Sequence, residues 1–239
     1  MTVPLLDHTF EKSVNLKMSA LSFVYQGVIV PASVAVPISI ALFRYKHTNP
    51  AARTILLYLF VAGITNVVAA VYASLGINNL PLLHIYTGAE LLLLLRFYRI
   101  TINTPSSRKW IQLIAIFFPV TCIINFLFFQ SIYTFNTYTR PLAAIIMIAC
   151  SMTYLYRRTE KNTVGKWQHE PEMWMNAGLL LYFSSALFQF TFSNIVSHKA
   201  GFAIKMLIWN IHATLVLIMY MLFAVGFVIG RTKHATNNR

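Results

Sequence analysis

Glu90 is the residue of this chain whose position most needs a partner or a task. It alone among the six acidic residues lies inside a long apolar run, 80–97. A carboxyl group at membrane depth is costly unless another group compensates it, and such residues commonly bind ligands, carry protons or pair with other polar groups. Glu90 is therefore the first candidate site residue.

The sequence around Glu90 reads HIYTGAE from His84 onwards and is the densest polar motif inside an apolar segment. On a helix with 100° per residue, Tyr86, Thr87 and Glu90 share one face and His84 lies at its edge. Gly88 is expected to let a neighbouring helix approach closely. The motif predicts a helix that turns one polar face toward other helices.

Polar residues in the other apolar segments fall mostly at matching depths in one half of the membrane. Counted from the segment ends, these are Gln26, Asn125, Gln189, Asn210 and His212, together with His84. Asn66 and Glu90 come close to the midplane, and Asn176 to the opposite edge. Polar groups in lipid need partners, so most should point into the bundle. Aromatic residues at the same depths, such as Tyr25 and Trp209, would suit a pocket for a small amphipathic ligand.

Several kinds of chemistry are disfavoured by spacing. His84 and Glu90 lie six residues and about 9 Å apart along a helix, whereas zinc ligands usually converge from i, i+3 or i, i+4 positions. Ser184 and Ser185 lack a histidine or carboxylate at a usable spacing. Lys205 lies too near a segment end for a retinal Schiff base. No predicted helix contains aspartate, which excludes a paired-aspartate intramembrane protease. We expect no catalytic residue, metal or cofactor, and hence a protein that is not an enzyme.

Composition places these residues in a membrane. The chain is 57% hydrophobic and 10% charged, with a mean hydropathy of +0.63, whereas a soluble domain carries about 25% charged residues. The net charge of +13 comes from short basic clusters between apolar runs. A nucleic-acid-binding protein would collect them on one solvent face, so no nucleic acid is expected.

Seven segments are long enough to span a bilayer, which predicts an all-α bundle: 20–43, 55–75, 80–97, 110–129, 138–156, 173–192 and 202–230. Most of the 19 lysines and arginines fall in alternate loops and the tail, which predicts an outer N-terminus and a cytoplasmic C-terminus. The polar half of the membrane is then the outer half. The expected domains are an extracytoplasmic segment 1–19, the bundle 20–230 and a basic tail 231–239. The fifth segment is the weakest, with six helices as the fallback; we expect Arg140 to snorkel outward from it.

Three stretches, 78–94 followed by FYR, 174–190 and 208–227, resemble a group of seven-helix integral membrane proteins of Bacteroidetes. The resemblance implies a multi-pass protein of the bacterial inner membrane and carries over no activity. The topology also resembles that of seven-helix receptors and sensors, but only at the level of the fold.

These observations favour a sensor or receptor in the lipid bilayer with an outward-facing polar pocket. A small molecule or a proton would contact the candidate ligand-binding residues Glu90, His84, Tyr86, His212, Asn210, Asn66 and Gln189. Since the tail is short, signalling would require a cytoplasmic partner on loops 96–109 and 157–172. One alternative is a small proton-coupled transporter. Another is a structural subunit of a membrane complex, with Glu90 hydrogen-bonded to Asn66, Gln189 or His212.

Overall fold

The computed structural model describes residues 20–160 and 164–230, and these residues form helices and turns with no strand. Seven of the described helices are long and apolar enough to cross a membrane: α1 (Ala20–Phe43), α2 (Pro50–Ser74), α3 (Leu80–Ile102), α4 (Pro105–Phe129), α5 (Thr139–Glu160), α6 (Pro171–Lys199) and α7 (Phe202–Ile229). Short 3-10 turns, Tyr45–His47 and Val164–His169, precede α2 and α6. The predicted terminal segments 1–19 and 231–239 lie outside the described residues.

The predicted all-α architecture of seven spanning helices is confirmed, including the fifth helix. The helix ends differ from the prediction where polar residues extend a helix beyond its apolar part. Helix α2 begins at Pro50 rather than at Ile55, because Asn49 Oδ1 accepts a hydrogen bond from the Ala52 amide at 2.9 Å and proline fits the first turn. The orientation of the termini across the membrane stays a prediction.

Among the described helices, α6 and α7 make the most extensive contact. Two glycines allow it: a Cβ on Gly178 would lie 3.3 Å from the Met219 carbonyl oxygen, and one on Gly226 would lie 3.0 Å from the Pro171 carbonyl oxygen. The role predicted for Gly88 is wrong, since a Cβ there would meet nothing within 4 Å. Small residues permit close helix packing, but only neighbours in the right place use that space.

The outer surface of the bundle is apolar. Helix α4 lies at the edge, where it packs on α3, and it exposes Ile116, Phe117, Ile123 and Leu127. Other helices expose residues such as Phe23, Ile64 and Val67. A surface of this kind matches lipid, in which helices satisfy their own backbone hydrogen bonds. The fold is that of a multi-pass membrane protein.

Helix α1 contains an irregular turn that shapes the interior. Residues Tyr25–Ile29 form a π-helical turn that ends two residues before Pro31, which has no N–H to offer the preceding turn. Gln26 lies in this turn, and its Nε2 donates a hydrogen bond to Asn210 Oδ1 of α7 at 2.7 Å. The distortion therefore falls where α1 meets α7.

Candidate functional site

A cavity of about 370 Å³ lies inside the bundle, at the end where α3 begins. Every spanning helix except α4 contributes to its wall, as does the loop between α4 and α5. Along α3 it extends from Leu80 to Glu90, a rise of about 15 Å. Its polar lining consists of Gln26, Tyr58, Thr65, Asn66, His84, Tyr86, Glu90, Asn136, Arg140, Tyr182, Gln189, Ser193, His212 and Tyr220.

Glu90 lies at the inner end of the cavity and is only 3% exposed. The hydroxyls of Tyr58 and Tyr86 both donate to its Oε1, at 3.2 and 3.1 Å. Its Oε2 lies 3.5 Å from Nη1 of Arg140. A buried carboxylate is tolerated when donors and an opposite charge surround it, and Glu90 has both. Its partners are not Asn66, Gln189 or His212.

The prediction that Arg140 snorkels outward is wrong. Its guanidinium points into the bundle, where Nη1 donates to Thr87 Oγ1 at 3.1 Å and pairs with Glu90. The guanidinium carbon lies 4.5 Å from the Phe190 ring centroid and 5.7 Å from that of Tyr86. A carboxylate and two aromatic faces inside the bundle compensate for the water that an outward position would offer. The side chain keeps 17% exposure and lines the cavity.

The start of α5 brings Arg140 to this place. Asn136 Oδ1 accepts hydrogen bonds from the Thr139 amide at 3.0 Å, from the Thr139 hydroxyl at 2.9 Å and from the Arg140 amide at 3.2 Å. This capping satisfies the first turn of the helix without water. Arg140 therefore lies in the first turn of α5, beside the cavity.

The loop before α5 forms part of the cavity wall through Phe135 and Asn136. The Gln130 side chain donates to the Phe135 carbonyl at 2.9 Å, and Asn194 of α6 bonds both the amide and the carbonyl of Phe135 at 3.2 Å. His84 Nε2 donates to the Thr134 carbonyl at 2.9 Å. Irregular backbone at membrane depth needs such partners, and here α3, α6 and Gln130 of the loop itself supply them.

Four side chains on the cavity wall keep a polar atom without a partner in the described structure. They are His84 (Nδ1), His212 (Nδ1), Asn136 (Nδ2) and Gln189 (Nε2). His84, Asn136 and Gln189 are only 2%, 8% and 6% exposed. Leaving a buried polar atom unpaired costs about 1–3 kcal/mol, so a ligand or water that bonded to one of these atoms would recover that cost.

The candidate residues named from the sequence largely come together. Glu90, His84, Tyr86, His212, Asn66 and Gln189 all line the one cavity. Asn210 is not among its lining residues; its side chain bonds Gln26 and Ser22 of α1. The sequence interpretation missed Arg140, Tyr58, Tyr182, Tyr220 and the α4–α5 loop. The available signal for the three tyrosines was their position in the middle of an apolar helix, but that position is equally typical of ordinary core residues.

An apolar layer separates the cavity from a second polar cluster. In that cluster Tyr98 donates to Asn176 Oδ1 at 2.9 Å and lies 2.5 Å from the Ser151 hydroxyl. About two helical turns separate Tyr98 from Glu90 and Asn176 from Tyr182. The intervening side chains are almost fully buried: Leu94, Met147, Leu179, Phe183 and Phe223. In this conformation the cavity is a pocket closed at its inner end.

Comparisons with protein-family models, with curated proteins and with solved structures found no match. Within residues 20–160 and 164–230, no group of three or more His, Cys, Asp or Glu side chains is placed to hold a metal ion. What the cavity offers is a set of hydrogen-bond donors, an ion pair and aromatic walls. Such a set can recognise and orient a small molecule.

Proposed function

We propose that this chain is a seven-helix membrane sensor that binds a small ligand in the cavity around Glu90 and Arg140. The observation that carries the proposal is the pocket itself, about 370 Å³ and closed at its inner end, lined by aromatic residues and by polar side chains that have atoms without partners. Small-molecule sites are mostly apolar concavities of roughly 300–1,000 Å³ with a few convergent polar groups.

In this proposal the ligand enters from the side that the charge pattern predicts as outer, in the inner membrane of a bacterium. The bacterial assignment rests on the sequence resemblance, and the side rests on the distribution of lysine and arginine. The pocket lies in the half of the bundle that contains the start of α3, whereas Arg96 and Arg99 lie at the opposite end of the same helix.

A bound ligand would act on α5 through Arg140. The Glu90–Arg140 pair joins α3 to α5, and a group that competes for the guanidinium changes that junction. At the other end of α5, Arg158 pairs with Glu170 at the start of α6, and Asn49 donates to Glu172 at 2.6 Å. A shift of α5 would therefore reach loop 157–172, where a cytoplasmic partner would dock. A ligand can drive such a shift only by its differential affinity for the two states.

Blocking the pocket tests the proposal. Purified protein in nanodiscs is screened by thermal unfolding against a library of acidic, neutral and basic small molecules, and hits are measured by titration calorimetry. Ala213→Phe places a ring inside the cavity, and Ala203→Phe places the same ring on the outward face of the same helix. We expect hits that bind wild type and Ala203→Phe but not Ala213→Phe. A library without hits, or hits that ignore Ala213→Phe, would refute the proposal.

A small proton-coupled transporter is the second candidate, favoured by the cluster of Tyr98, Ser151 and Asn176 beyond the apolar layer. Asn176 Nδ2 in this cluster has no partner, so a second site with a free donor lies toward the opposite end of the bundle. Transport would require the apolar layer between the cavity and this cluster to open. Uptake of a pocket ligand into proteoliposomes that depends on a pH gradient and is lost in Glu90→Gln would establish it in place of the sensor.

A further inference from the structure

We infer that the ligand is a small organic monoanion, a carboxylate on an aromatic or otherwise apolar body, whose charged end binds Arg140. The inference rests on the proposed function and names the chemical class that the same cavity selects. Four observations support it: the free donors around Arg140, the occupied carboxylate of Glu90, the single cation of the cavity and the aromatic wall.

The donors of the pocket exceed its acceptors around Arg140. A guanidinium has five N–H donors. Thr87 and Glu90 each take a contact through Nη1, and the Tyr182 hydroxyl interacts with the same group, which leaves at least two donors for a ligand. Gln189 Nε2 and Asn136 Nδ2 add two amide donors without partners, on side chains more than nine-tenths buried. A ligand with clustered acceptor oxygens satisfies them best.

The pocket's own carboxylate is already occupied. Oε1 of Glu90 accepts from Tyr58 and Tyr86, and Oε2 faces Arg140. A cationic ligand would have to displace these donors while lying beside a guanidinium, which repels it. A planar carboxylate, in contrast, matches the guanidinium fork with two parallel hydrogen bonds.

The charge count limits the ligand to at most one negative charge. Arg140 is the one arginine or lysine among the described residues that line the cavity, and Glu90 lies beside it. A dianion such as a phosphate monoester would bring two charges to a pocket with a single cation that is already shared, at a high desolvation cost.

The rest of the wall fits an apolar body. The Phe135 and Trp209 rings lie 5.7 Å apart between centroids, and Trp209 also lies 6.4 Å from the His212 ring. The ring centroids of Phe190 and His212 lie 5.6 Å apart, and the other neighbour of the Phe190 ring is the Arg140 guanidinium. A ring attached to the carboxylate would lie against these faces, where aromatic pairs add attraction beyond the area they bury.

Three probes of nearly equal shape test the class: phenylacetate, phenylacetamide and phenethylamine, titrated at millimolar concentration into protein in phosphatidylcholine nanodiscs. We expect phenylacetate to bind at least about tenfold more tightly than the amide, and the amine not at all. Arg140→Gln should remove the preference of acid over amide, and Arg140→Lys should keep part of it. Arg99→Gln, on an exposed part of α3, is the matched control and should leave it unchanged.

Arg140→Gln leaves the buried Glu90 carboxylate without its charged partner, and this variant can therefore fail to fold. The double variant Glu90→Gln/Arg140→Gln has no unpaired charge, and its preference for acid over amide is measured in that case. Glu90→Gln alone removes the neighbouring negative charge and should tighten phenylacetate by about tenfold. Weaker phenylacetate binding in folded Glu90→Gln protein, or equal binding of acid and amide by wild type, overturns the inference.

Two further probes fix the details. Phenyl phosphate binding more tightly than phenylacetate would overturn the monoanion, and oleate binding more tightly would keep the carboxylate class while placing its source in the bilayer. Failure of the inference and failure of the proposed function remain distinguishable. Neutral or basic library hits that depend on Ala213 defeat the inference alone, whereas no cavity-dependent binding of any compound defeats both.

Discussion

The Glu90–Arg140 pair should be energetically coupled, and the coupling can be measured by a double-mutant cycle. The facing atoms lie 3.5 Å apart, and Glu90 is almost fully buried. At an effective dielectric constant of about 20, unit charges at that distance attract by about 5 kcal/mol. Because Arg140 is 17% exposed toward the cavity, water recovers part of this when the pair is broken. We expect about 2–3 kcal/mol of destabilisation from Glu90→Gln and from Arg140→Met singly.

The double variant should be much less destabilised than the sum of the two single variants, because it leaves no unpaired charge behind. Replacing a whole buried pair often costs little, whereas removing one partner strands the other. The coupling energy is therefore expected to be at least about 1.5 kcal/mol. Reversible unfolding in mixed micelles with a denaturing detergent measures each free energy of unfolding.

An exposed ion pair on the same protein provides the control. Arg157 Nη1 lies 3.2 Å from Glu160 Oε2, and both side chains are more than two-fifths exposed. Such pairs contribute about 0.2–1 kcal/mol at most, so Arg157→Met and Glu160→Gln should couple by less than about 0.5 kcal/mol. Additive effects of Glu90→Gln and Arg140→Met, within the same error as this control, would refute the claim that the interior pair is a functional unit of the bundle.

Three further predictions concern packing and the cavity wall. Gly226→Leu should destabilise the protein by about 2–3 kcal/mol, because its Cβ would press on the Pro171 carbonyl at 3.0 Å. Gly88→Leu is the control and should change the free energy of unfolding by less than about 0.5 kcal/mol, since its Cβ would meet nothing within 4 Å. Equal effects of the two substitutions would contradict this packing. Asn194→Leu should speed hydrogen exchange at the Phe135 amide, with exchange at residues 150–156 unchanged, and unaltered exchange would count against the loop's role as a wall. Tyr98→Phe should cost about 1–2 kcal/mol of unfolding free energy and leave ligand affinity unaltered, because the apolar layer separates it from the pocket.

The seven helices could be predicted because hydropathy and length alone determine which segments can span a membrane. Glu90 could be found for the same reason, as a carboxylate in a run that offers it no water. Depth along each helix also followed from counting residues. This was enough to place Glu90, His84 and His212 at compatible levels, and the structure brings these three side chains to one cavity.

The direction in which a side chain points around its helix, and the partners it reaches, could not be predicted from its depth in the membrane. Asn210 and His212 lie two residues apart on α7 and about 200° apart around it, so one contacts α1 while the other lines the cavity. Arg140 was misjudged because its side chain has partners both in water and inside the bundle. The choice depends on where α5 begins, which Asn136 and the contacts of the preceding loop decide. The cap is local, but the bonds that hold the loop, from His84 to Thr134 and from Asn194 to Phe135, join residues 50 and 59 positions apart in the sequence, and no local pattern reveals them.

The most direct test of the central claim is the binding of one ligand to three proteins. Titration of the tightest library hit into wild type, Ala213→Phe and Ala203→Phe in nanodiscs compares an open pocket, a filled pocket and an equally substituted outer surface. A ligand site in the cavity predicts comparable affinity for wild type and Ala203→Phe, and at least about a hundredfold loss in Ala213→Phe. Equal affinity of all three folded proteins would contradict it.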